Sequence, residues 1–322
     1  MALANPAVTG DAVRARLERG SFDLAGAAFK ALIFGATLVS LVVIGVLLYD
    51  VFSDGRTILL DRPIDFLSGE LRSQAGSAGV FQGLRGTFWI GVFTVVLAFP
   101  VGIGAAVYLE EYAPESRFSR FIDINIRNLA GVPSVVYGIL GFAIFVKTLE
   151  LVPAWVPLVG GSTFTGGRTT MAAGITLAIL VLPLVIITAS EAIRAVPDSI
   201  REAGFGVGAT RWEVVRSHVL PYAAPGIITG TILSLARALG EAAPLILVGA
   251  VTGRLGQSGG LLDPGQLQQR FTAMPIVITT WAGQPGDFQT QNAPAAIVVL
   301  LVVVLFANTA AILLRNRYEK NR

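Results

Sequence analysis

The residue types that most enzymes use for catalysis are scarce in this sequence. Its 322 residues include no cysteine and a single histidine, His218. A thiolate metal site, a cluster of histidine ligands and a Ser-His-Asp triad therefore have almost no material. None of the lysines, Lys30, Lys147 and Lys320, follows a glycine, so the nucleotide-binding loop GxxxxGKS or GxxxxGKT is absent as well. The sequence predicts a chain that is not an enzyme and holds no metal, cofactor or ATPase site of its own.

Two charged residues, Arg237 and Glu241, interrupt the otherwise apolar stretch 222–253. A charge in the middle of a membrane span costs about 2.5–3.5 kcal/mol on insertion scales, so such residues are usually functional or paired. Their spacing of four allows an ion pair on one helix face, which is the structural interpretation. The functional interpretation, which we favour, is a polar lining for an anion path, because a guanidinium matches the oxygens of a phosphate-like ion. Glu241 would then keep the anion from becoming trapped.

Small residues follow one face of the same stretch. Gly226, Gly230, Ser234, Ala238 and Ala242 recur every four residues, a pattern that lets another helix approach closely. Arg237 flanks this stripe, so we expect it to face the helix bundle rather than lipid. It lies about 15 residues, or roughly 20 Å, from the cytoplasmic end of the span, which is near the middle of a membrane.

Long apolar segments determine the predicted fold class. Hydrophobic residues make up 53% of the sequence and charged residues 14%, whereas a soluble domain has about a quarter charged residues. Crossing ~30 Å of hydrocarbon takes about 20 helical residues. Five uncharged runs meet this length in addition to 222–253, namely 31–49, 86–109, 128–146, 169–190 and 293–314. The sequence therefore predicts an all-α polytopic membrane protein with six transmembrane helices.

The distribution of Lys and Arg predicts the orientation of these helices. With the N-terminus inside, 15 basic residues fall in the inside segments and 7 in the outside segments. The inside segments are 1–30, 110–127, 191–221 and 315–322, and the outside segments are 50–83, 147–168 and 254–292. Both termini are therefore expected in the cytoplasm.

The span boundaries give a predicted domain organisation. The first apolar run is longer than the core of a signal peptide, and Tyr49 and Asp50 stand where small residues would be needed for cleavage, so we expect a retained helix. The predicted parts are a cytoplasmic extension 1–28 of unknown role, a first transmembrane helix 29–52, an outside loop 53–83, a core 84–314 with a cytoplasmic loop 197–221, and a cytoplasmic tail 315–322. Segment 153–167 is expected to form a structured turn, and 274–282 is too short to span, so it would lie at the interface or re-enter.

The cytoplasmic loop 197–221 has the pattern of two short helices around a turn. Ser199-x-x-Glu202 and Thr210-x-x-Glu213 are each predicted to form a capping box. Gly208 stands between them, where a helix would end in a left-handed conformation.

Pro221 would close the second helix of this loop or open the next span. An apolar side formed by Phe205, Val207, Trp212, Val215 and Val219 suits a partner's groove, and a position on the bilayer surface is the alternative.

The same loop resembles the EAA signature of ABC-importer permeases, which is E-A-A, three residues, G, nine residues and I-x-L-P. Glu202-Ala203-Gly204, then Gly208, then His218-Val219-Leu220-Pro221 match its spacing in full. Gly204 replaces the second alanine, and His218 replaces the isoleucine, where we expect a surface or hydrogen-bonded side chain. The resemblance implies the MetI-like fold of binding-protein-dependent ABC importer permeases. It also implies that the loop inserts into a cleft of a separate ATPase, with Glu202 as the contact, Gly208 as the turn, and Ala203, Gly204, Leu220 and Pro221 as the rest of the coupling site.

Three further segments, within a likeness that covers residues 84–318, resemble phosphate-importer permeases of the PstA type. They are ARALGEAAPLI around Arg237, GVPSVVYG at 131–138 and PIVITTWAGQP at 275–285. The resemblance implies a phosphate path lined by Arg237, Glu241 and Ser134, although the Ser134 hydroxyl could instead bond back to its own helix. The implied partners are a PstC-like sister permease, a PstB-like ATPase dimer that binds ATP and Mg, and a PstS-like extracytoplasmic phosphate-binding protein, all at a bacterial inner membrane.

Three other functions remain open at this point. The chain could be the permease of another oxyanion importer, for sulfate or molybdate. It could be a stand-alone secondary transporter or channel, which would leave the EAA spacing unexplained. A membrane enzyme such as a lipid transferase is less favoured because the carboxylates, including Glu110, Glu111 and Glu191, are scattered at span ends.

Overall fold

The computed structural model describes residues 24–114, 116–152, 166–253, 255 and 261–320. The N-terminal extension up to residue 23 and most of the expected turn segment, 153–165, lie outside these residues. The chain divides into two compact units, the first ending at Val51 and the second beginning at Phe52. In the first unit, the described residues form one helix with no buried side chain.

Five helices within the described residues are long and apolar enough to cross a membrane, and a bent pair makes a sixth if it counts as one span. The five are α1 (Leu24–Asp61), α3 (Phe81–Tyr112), α6 (Thr170–Arg194), α8 (Arg211–Leu239) and α11 (Ala293–Lys320, preceded by a π-helical turn at Phe288–Asn292). The bent pair is α4 (Arg117–Ala130) and α5 (Ser134–Glu150). The shorter helices are α2 (Pro63–Ser68), α7 (Asp198–Gly206), α9 (Ala243–Val248) and α10 (Met274–Ala282). The chain is thus a multi-pass, all-helical membrane protein in its described parts.

The first apolar helix is longer than predicted. We expected it to end at residue 52, but α1 continues to Asp61. Gly55 and Ile58 are buried in its last turns, so the protein interior supports the extra length. The helix ends before Pro63, whose ring disfavours helical dihedrals at Arg62, and Arg62 has φ −143° and ψ 54°.

The third span differs from the predicted straight run 128–146. The chain turns by 99° between α4 and α5, at Gly131–Pro133. Pro133 disfavours a helical conformation at Val132, which hydropathy alone does not reveal. The Tyr137 hydroxyl donates to the carbonyl of Leu129 at 2.9 Å and ties the two helices together across the bend.

The core of the second unit forms where α3, α6 and α8 lie side by side. A Cβ at Gly174 of α6 would lie 2.8 Å from Cβ of Phe93 in α3, so glycine permits close contact. On α8, a Cβ at Gly226 would lie 2.8 Å from Ala192, and one at Gly230 would overlap Thr188. The predicted small-residue stripe of α8 therefore faces α6.

The fifth span is broken, where a continuous apolar stretch 222–253 was expected. Helix α8 stops at Leu239, and the short helix α9 begins at Ala243 after a turn. Leu239 meets α3 at Gly91. About 15 Å of helix lies between Gly91 and the start of α3 at Phe81, so α8 ends partway along the length of the bundle rather than at its end.

The two ends of the bundle differ in structure. The end that carries α7 and the start of α8 is called the loop end. At the opposite end, Trp281 of α10 lies 6.2 Å from Phe66 and 5.6 Å from Phe288 between ring centroids. Met274 and Trp281 are buried in this cluster, so segment 274–282, expected at the interface or re-entering, is a helix within the protein's own core.

Candidate functional site

The loop end carries the predicted helix pair. Helix α7 ends at Gly206, α8 starts at Arg211, and Gly208 between them has φ +83°, the left-handed conformation that was predicted for it. The first helix is short as expected. The second is not short, because α8 runs without interruption from Arg211 to Leu239.

One of the two predicted capping boxes forms. The Thr210 amide donates to Glu213 Oε2 at 2.7 Å, and the Glu213 amide donates to Thr210 Oγ1 at 3.4 Å. The box at Ser199 and Glu202 was a wrong prediction, since the N-cap is Pro197 and no side chain caps α7. Ser199 is the second residue of the helix, so its hydroxyl is not at the cap position. The Glu202 side chain is exposed and not used for capping.

Gly204, which departs from the EAA pattern, lies where the two helices touch. A Cβ at this position would lie 2.8 Å from Cγ2 of Val214, and Val214 is 1% exposed. The valine side chain has little room to move away. Glycine therefore sets the close approach of α7 to α8.

The predicted apolar side of the loop divides into two groups. Val215 and Val219 are buried in the core with residues of α6 such as Ile193, so their assignment to a partner surface was wrong. Phe205, Val207 and Trp212 are exposed by 48%, 84% and 55%. We call these three residues the loop patch. His218 is exposed as well, in agreement with the expected surface position.

A π-helical turn connects the loop to the membrane-spanning part of α8. The Leu220 amide donates to the carbonyl of Val215, five residues earlier. Pro221 follows at the second position of the next α-helical segment, so it opens the span and the helix remains continuous. Because proline lacks an amide and crowds the preceding turn, the wider π turn accommodates it. The loop and the membrane-spanning part of α8 therefore belong to one continuous helix.

Arg201 of α7 anchors the loop to the bundle, a role that sequence reasoning missed. Its guanidinium donates to Glu111 Oε1 at 2.9 and 3.1 Å, and to the carbonyls of Val196 at 2.7 Å and Ile193 at 3.0 Å. Glu111 belongs to the π-helical turn Tyr108–Tyr112 at the end of α3 and is 7% exposed. Arg201 thus joins α3, α6 and α7.

A second ion pair lies beside this anchor but is more exposed. Arg194 at the end of α6 donates to both oxygens of Glu110, at 2.7 and 3.2 Å. The side-chain exposures are 60% for Arg194 and 15% for Glu110. In the sequence, Glu110 and Glu111 follow one apolar span, and Arg194 and Arg201 follow another. Pairing them requires knowing that α3 and α6 are neighbours.

The charged pair of the fifth span lies at the break. Arg237 is in the last turn of α8, and its Nε is 3.7 Å from Oε1 of Glu241, longer than a hydrogen bond. The Arg237 side chain is 58% exposed and lies along α8 in line with the exposed residues Thr229 and Leu233. The expectation that it faces this chain's own bundle was therefore wrong. The ion pair between Arg237 and Glu241 forms at a long distance, and Arg237 lies on an outer face of α8.

Ser134 begins α5 and is half-buried. Among the hydrogen bonds of the described residues, none involves its hydroxyl, so the back-bonding alternative is not observed. Helix α5, which Ser134 begins, lies close to the break between α8 and α9, because a Cβ at Gly138 would lie 2.7 Å from Cα of Pro244 in α9. Tyr137 and Ala238 also share a core cluster. The structure therefore brings the start of α5 close to the end of α8.

Comparisons with known proteins agree with this architecture. Residues 98–321 match the family described as "Binding-protein-dependent transport system inner membrane component". The chain is 32% identical over 240 residues to phosphate transport system permease protein PstA 1 of Mycobacterium tuberculosis, which covers 74% of this chain and 71% of that protein. It is 29% identical over 310 residues to phosphate transport system permease protein PstC of Mesorhizobium japonicum, covering 92% and 90%.

A solved structure of a bacterial alginate ABC transporter, in complex with its alginate pentasaccharide-bound periplasmic protein, contains a chain with the same fold. That chain has a TM-score of 0.56 at 14% identity, and the match covers 88% of this chain and 92% of that one. The helical bundle, the exposed loop with EAA spacing and the family match lead to one assignment. The chain belongs to the family of binding-protein-dependent transport system inner membrane components, the permease subunits of ABC importers.

Proposed function

We propose that this chain is the transmembrane permease subunit of an ATP-driven importer of inorganic phosphate. The observation that carries the proposal is the continuity of α8, which joins the exposed loop at one end to Arg237 at the other. The named relatives, PstA 1 and PstC, are permeases of phosphate transport systems, and this is the basis for proposing phosphate as the substrate. ATP and Mg are bound by a separate, PstB-like ATPase dimer, and this chain has no ATPase site of its own.

In the proposed coupling step, the ATPase dimer binds the loop patch together with the exposed Glu202 and Ala203, while the buried Gly204 sets the close approach of α7 to α8. Three exposed apolar side chains at a sharp turn suit a groove on a partner. Closure of the ATPase dimer moves α7, and the π turn passes that movement into α8. Arg201 supports this transmission because it holds α7 against α3 and α6.

The proposed phosphate path runs between this chain and a PstC-like sister permease. Arg237 supports this position because it lies on an exposed face at a broken helix, and broken helices are tolerated within a membrane where they line a cavity or meet protein. The long contact to Glu241 allows the guanidinium to exchange that carboxylate for a passing phosphate. Glu241 in turn limits how tightly the anion is held, and Ser134 supplies a hydroxyl nearby.

The proposed orientation places the loop end and both termini in the cytoplasm. The excess of Lys and Arg in the corresponding segments, 15 against 7, supports it. A PstS-like protein would then deliver phosphate to the opposite end, where α2 and α10 lie. The setting is a bacterial inner membrane.

Uptake of radiolabelled phosphate into proteoliposomes tests this function. The permease is reconstituted with its sister permease, ATPase and binding protein, and we expect uptake that requires ATP and all four components. Excess sulfate or molybdate should leave uptake unchanged. Competition by either ion would show another oxyanion importer, and uptake without the ATPase would show a secondary transporter or channel.

A substitution at Arg237 tests the path separately. Arg237→Gln should lower phosphate uptake at least tenfold, and Arg237→Lys, which keeps the charge but loses the fork of donors, should restore part of it. Arg317→Gln, which removes an exposed arginine near the end of α11, is the control for the lost charge. Equal uptake by the Arg237→Gln and Arg317→Gln complexes would contradict the assignment.

A further inference from the structure

Helix α4 exposes an apolar face that no described residue covers. Phe118 is 70% exposed, Phe121 is 63% exposed and Leu129 is 47% exposed. At 100° per residue, these three side chains fall within one narrow sector of the helix. Contiguous exposed apolar surface of this kind marks a contact with a membrane or another protein.

The bend at Gly131–Pro133 fixes the direction of α4. We take α5, the more apolar member of the bent pair, as the helix that crosses the membrane, and the 99° turn then lays α4 along the membrane surface. Local contacts hold both ends in place, because Ser116 accepts from the Ser119 amide at 3.2 Å and Tyr137 bonds to Leu129. Contacts within this chain therefore fix both ends of α4.

A cleft of about 1130 Å³ lies between α4 and the loop end. Arg117, Arg120 and Arg211 line it together with Arg194 and the acidic residues Glu110, Glu111 and Asp123. Each of these three acids is already paired, with Arg194, Arg201 and Arg127 respectively.

Among the described residues that line it, the cleft therefore carries more arginines than carboxylates. Arg117 and Arg120 have no carboxylate within 4.0 Å among the described residues. Both are exposed, and they alternate along the sequence with the apolar Phe118 and Phe121. Glu115 of the same segment lies outside the described residues. A basic cleft bordered by an apolar helix face is complementary to a molecule with an anionic head and apolar chains.

We propose that α4 and this cleft bind an anionic phospholipid of the inner leaflet. The phosphodiester head lies between Arg117 and Arg120, with Arg211 across the cleft, and the acyl chains lie along Phe118 and Phe121. The inference rests on the proposed orientation, which puts the loop end on the cytoplasmic side. Arg211 is the first residue of α8, and its guanidinium lies 5.5 Å from the ring centroid of Tyr112. The lipid consequently bridges α4 and the coupling loop.

The test measures lipid retention by the complete purified complex without ATP or phosphate. The complex is reconstituted in nanodiscs of 70% phosphatidylcholine and 30% phosphatidylglycerol, then released and analysed by native mass spectrometry. We expect preferential retention of phosphatidylglycerol. Arg117→Gln combined with Arg120→Gln should weaken it about thirtyfold, because a basic side chain near an anionic surface contributes about a factor of five.

Matched variants separate a specific site from general charge and folding effects. Arg216→Gln with Arg317→Gln removes the same charge from exposed positions outside the cleft and should retain the lipid. Phe118→Ser with Phe121→Ser keeps every charge and should still reduce retention. Equal phosphatidylglycerol retention by wild type and both arginine pairs would overturn the proposal.

Two other results would also overturn it. If the Arg117 and Arg120 variant loses the ATPase while keeping the lipid, the cleft binds an acidic protein surface. If millimolar inorganic phosphate displaces phosphatidylglycerol, the cleft is a site for the free anion. Since no transport is measured, failure of the lipid site is distinguishable from failure of the phosphate-importer function.

Discussion

Replacing Glu111 by glutamine tests how the coupling loop is held. The substitution keeps the shape of the side chain but removes the negative charge of the carboxylate. In wild type, Oε1 of this carboxylate accepts two N–H groups of Arg201, at 2.9 and 3.1 Å. Hydrogen bonds to charged groups contribute about 1.5–3 kcal/mol each. Arg201 is 19% exposed and keeps Asp198 and two backbone carbonyls, so part of the loss is offset. We expect a net local destabilisation of about 2–3 kcal/mol.

Hydrogen exchange of the loop reads out this change directly. A loss of about 2–3 kcal/mol corresponds to an increase of roughly 30- to 150-fold in the opening equilibrium. We expect faster amide exchange in residues 196–206 of the reconstituted complex, and more ATP hydrolysed for each phosphate transported. The far end of α8 should exchange as in wild type.

The neighbouring Glu110 provides the matched control. Glu110→Gln removes the same charge from the same π-helical turn, but its partner Arg194 is 60% exposed, so we expect a loss of about 0–1 kcal/mol. If both variants change exchange equally, or if Glu111→Gln leaves residues 196–206 unchanged, the anchoring role of Arg201 is refuted. Arg201→Met combined with Glu111→Gln should cost less than the sum of the single changes, since neither variant residue leaves a buried charge unpaired.

Three further outcomes follow from the loop and its turn. Glu202→Arg should abolish ATP-coupled uptake and ATPase copurification without lowering thermal stability, because the side chain is exposed; unchanged uptake would contradict the coupling role. Thr210→Ala should cost about 0.5–2 kcal/mol of local stability, seen as faster exchange at the start of α8, and Thr210→Ser should restore it. Gly208→Ala should cost about 1–2 kcal/mol because of its positive φ, whereas Gly206→Ala, in open space at a helical φ, should be tolerated in the same exchange assay.

The amount that sequence reasoning recovered differs between the loop and the spans. Gly208 and the Thr210–Glu213 box were predicted correctly because the groups that determine them are within a few residues of each other. The box at Ser199 failed for a local reason as well, since Pro197 takes the N-cap position. Hydropathy located the spans, but it contains no information on direction, so the 99° bend before Ser134 and the break after Leu239 were missed.

The sequence by itself determined the membrane class, the number of apolar segments, and the EAA-type loop with its turn. These properties depend on hydropathy, residue spacing and backbone preference, all of which act over short stretches of chain. Only the tertiary structure decided that Arg201 binds Glu111 and that Arg237 lies on an outer face. Arg201 and Glu111 are 90 residues apart, so their pairing exists only because α3 and α6 lie side by side. Likewise, the side of α8 that Arg237 occupies was decided when the glycine stripe docked on α6 and left the guanidinium facing outward.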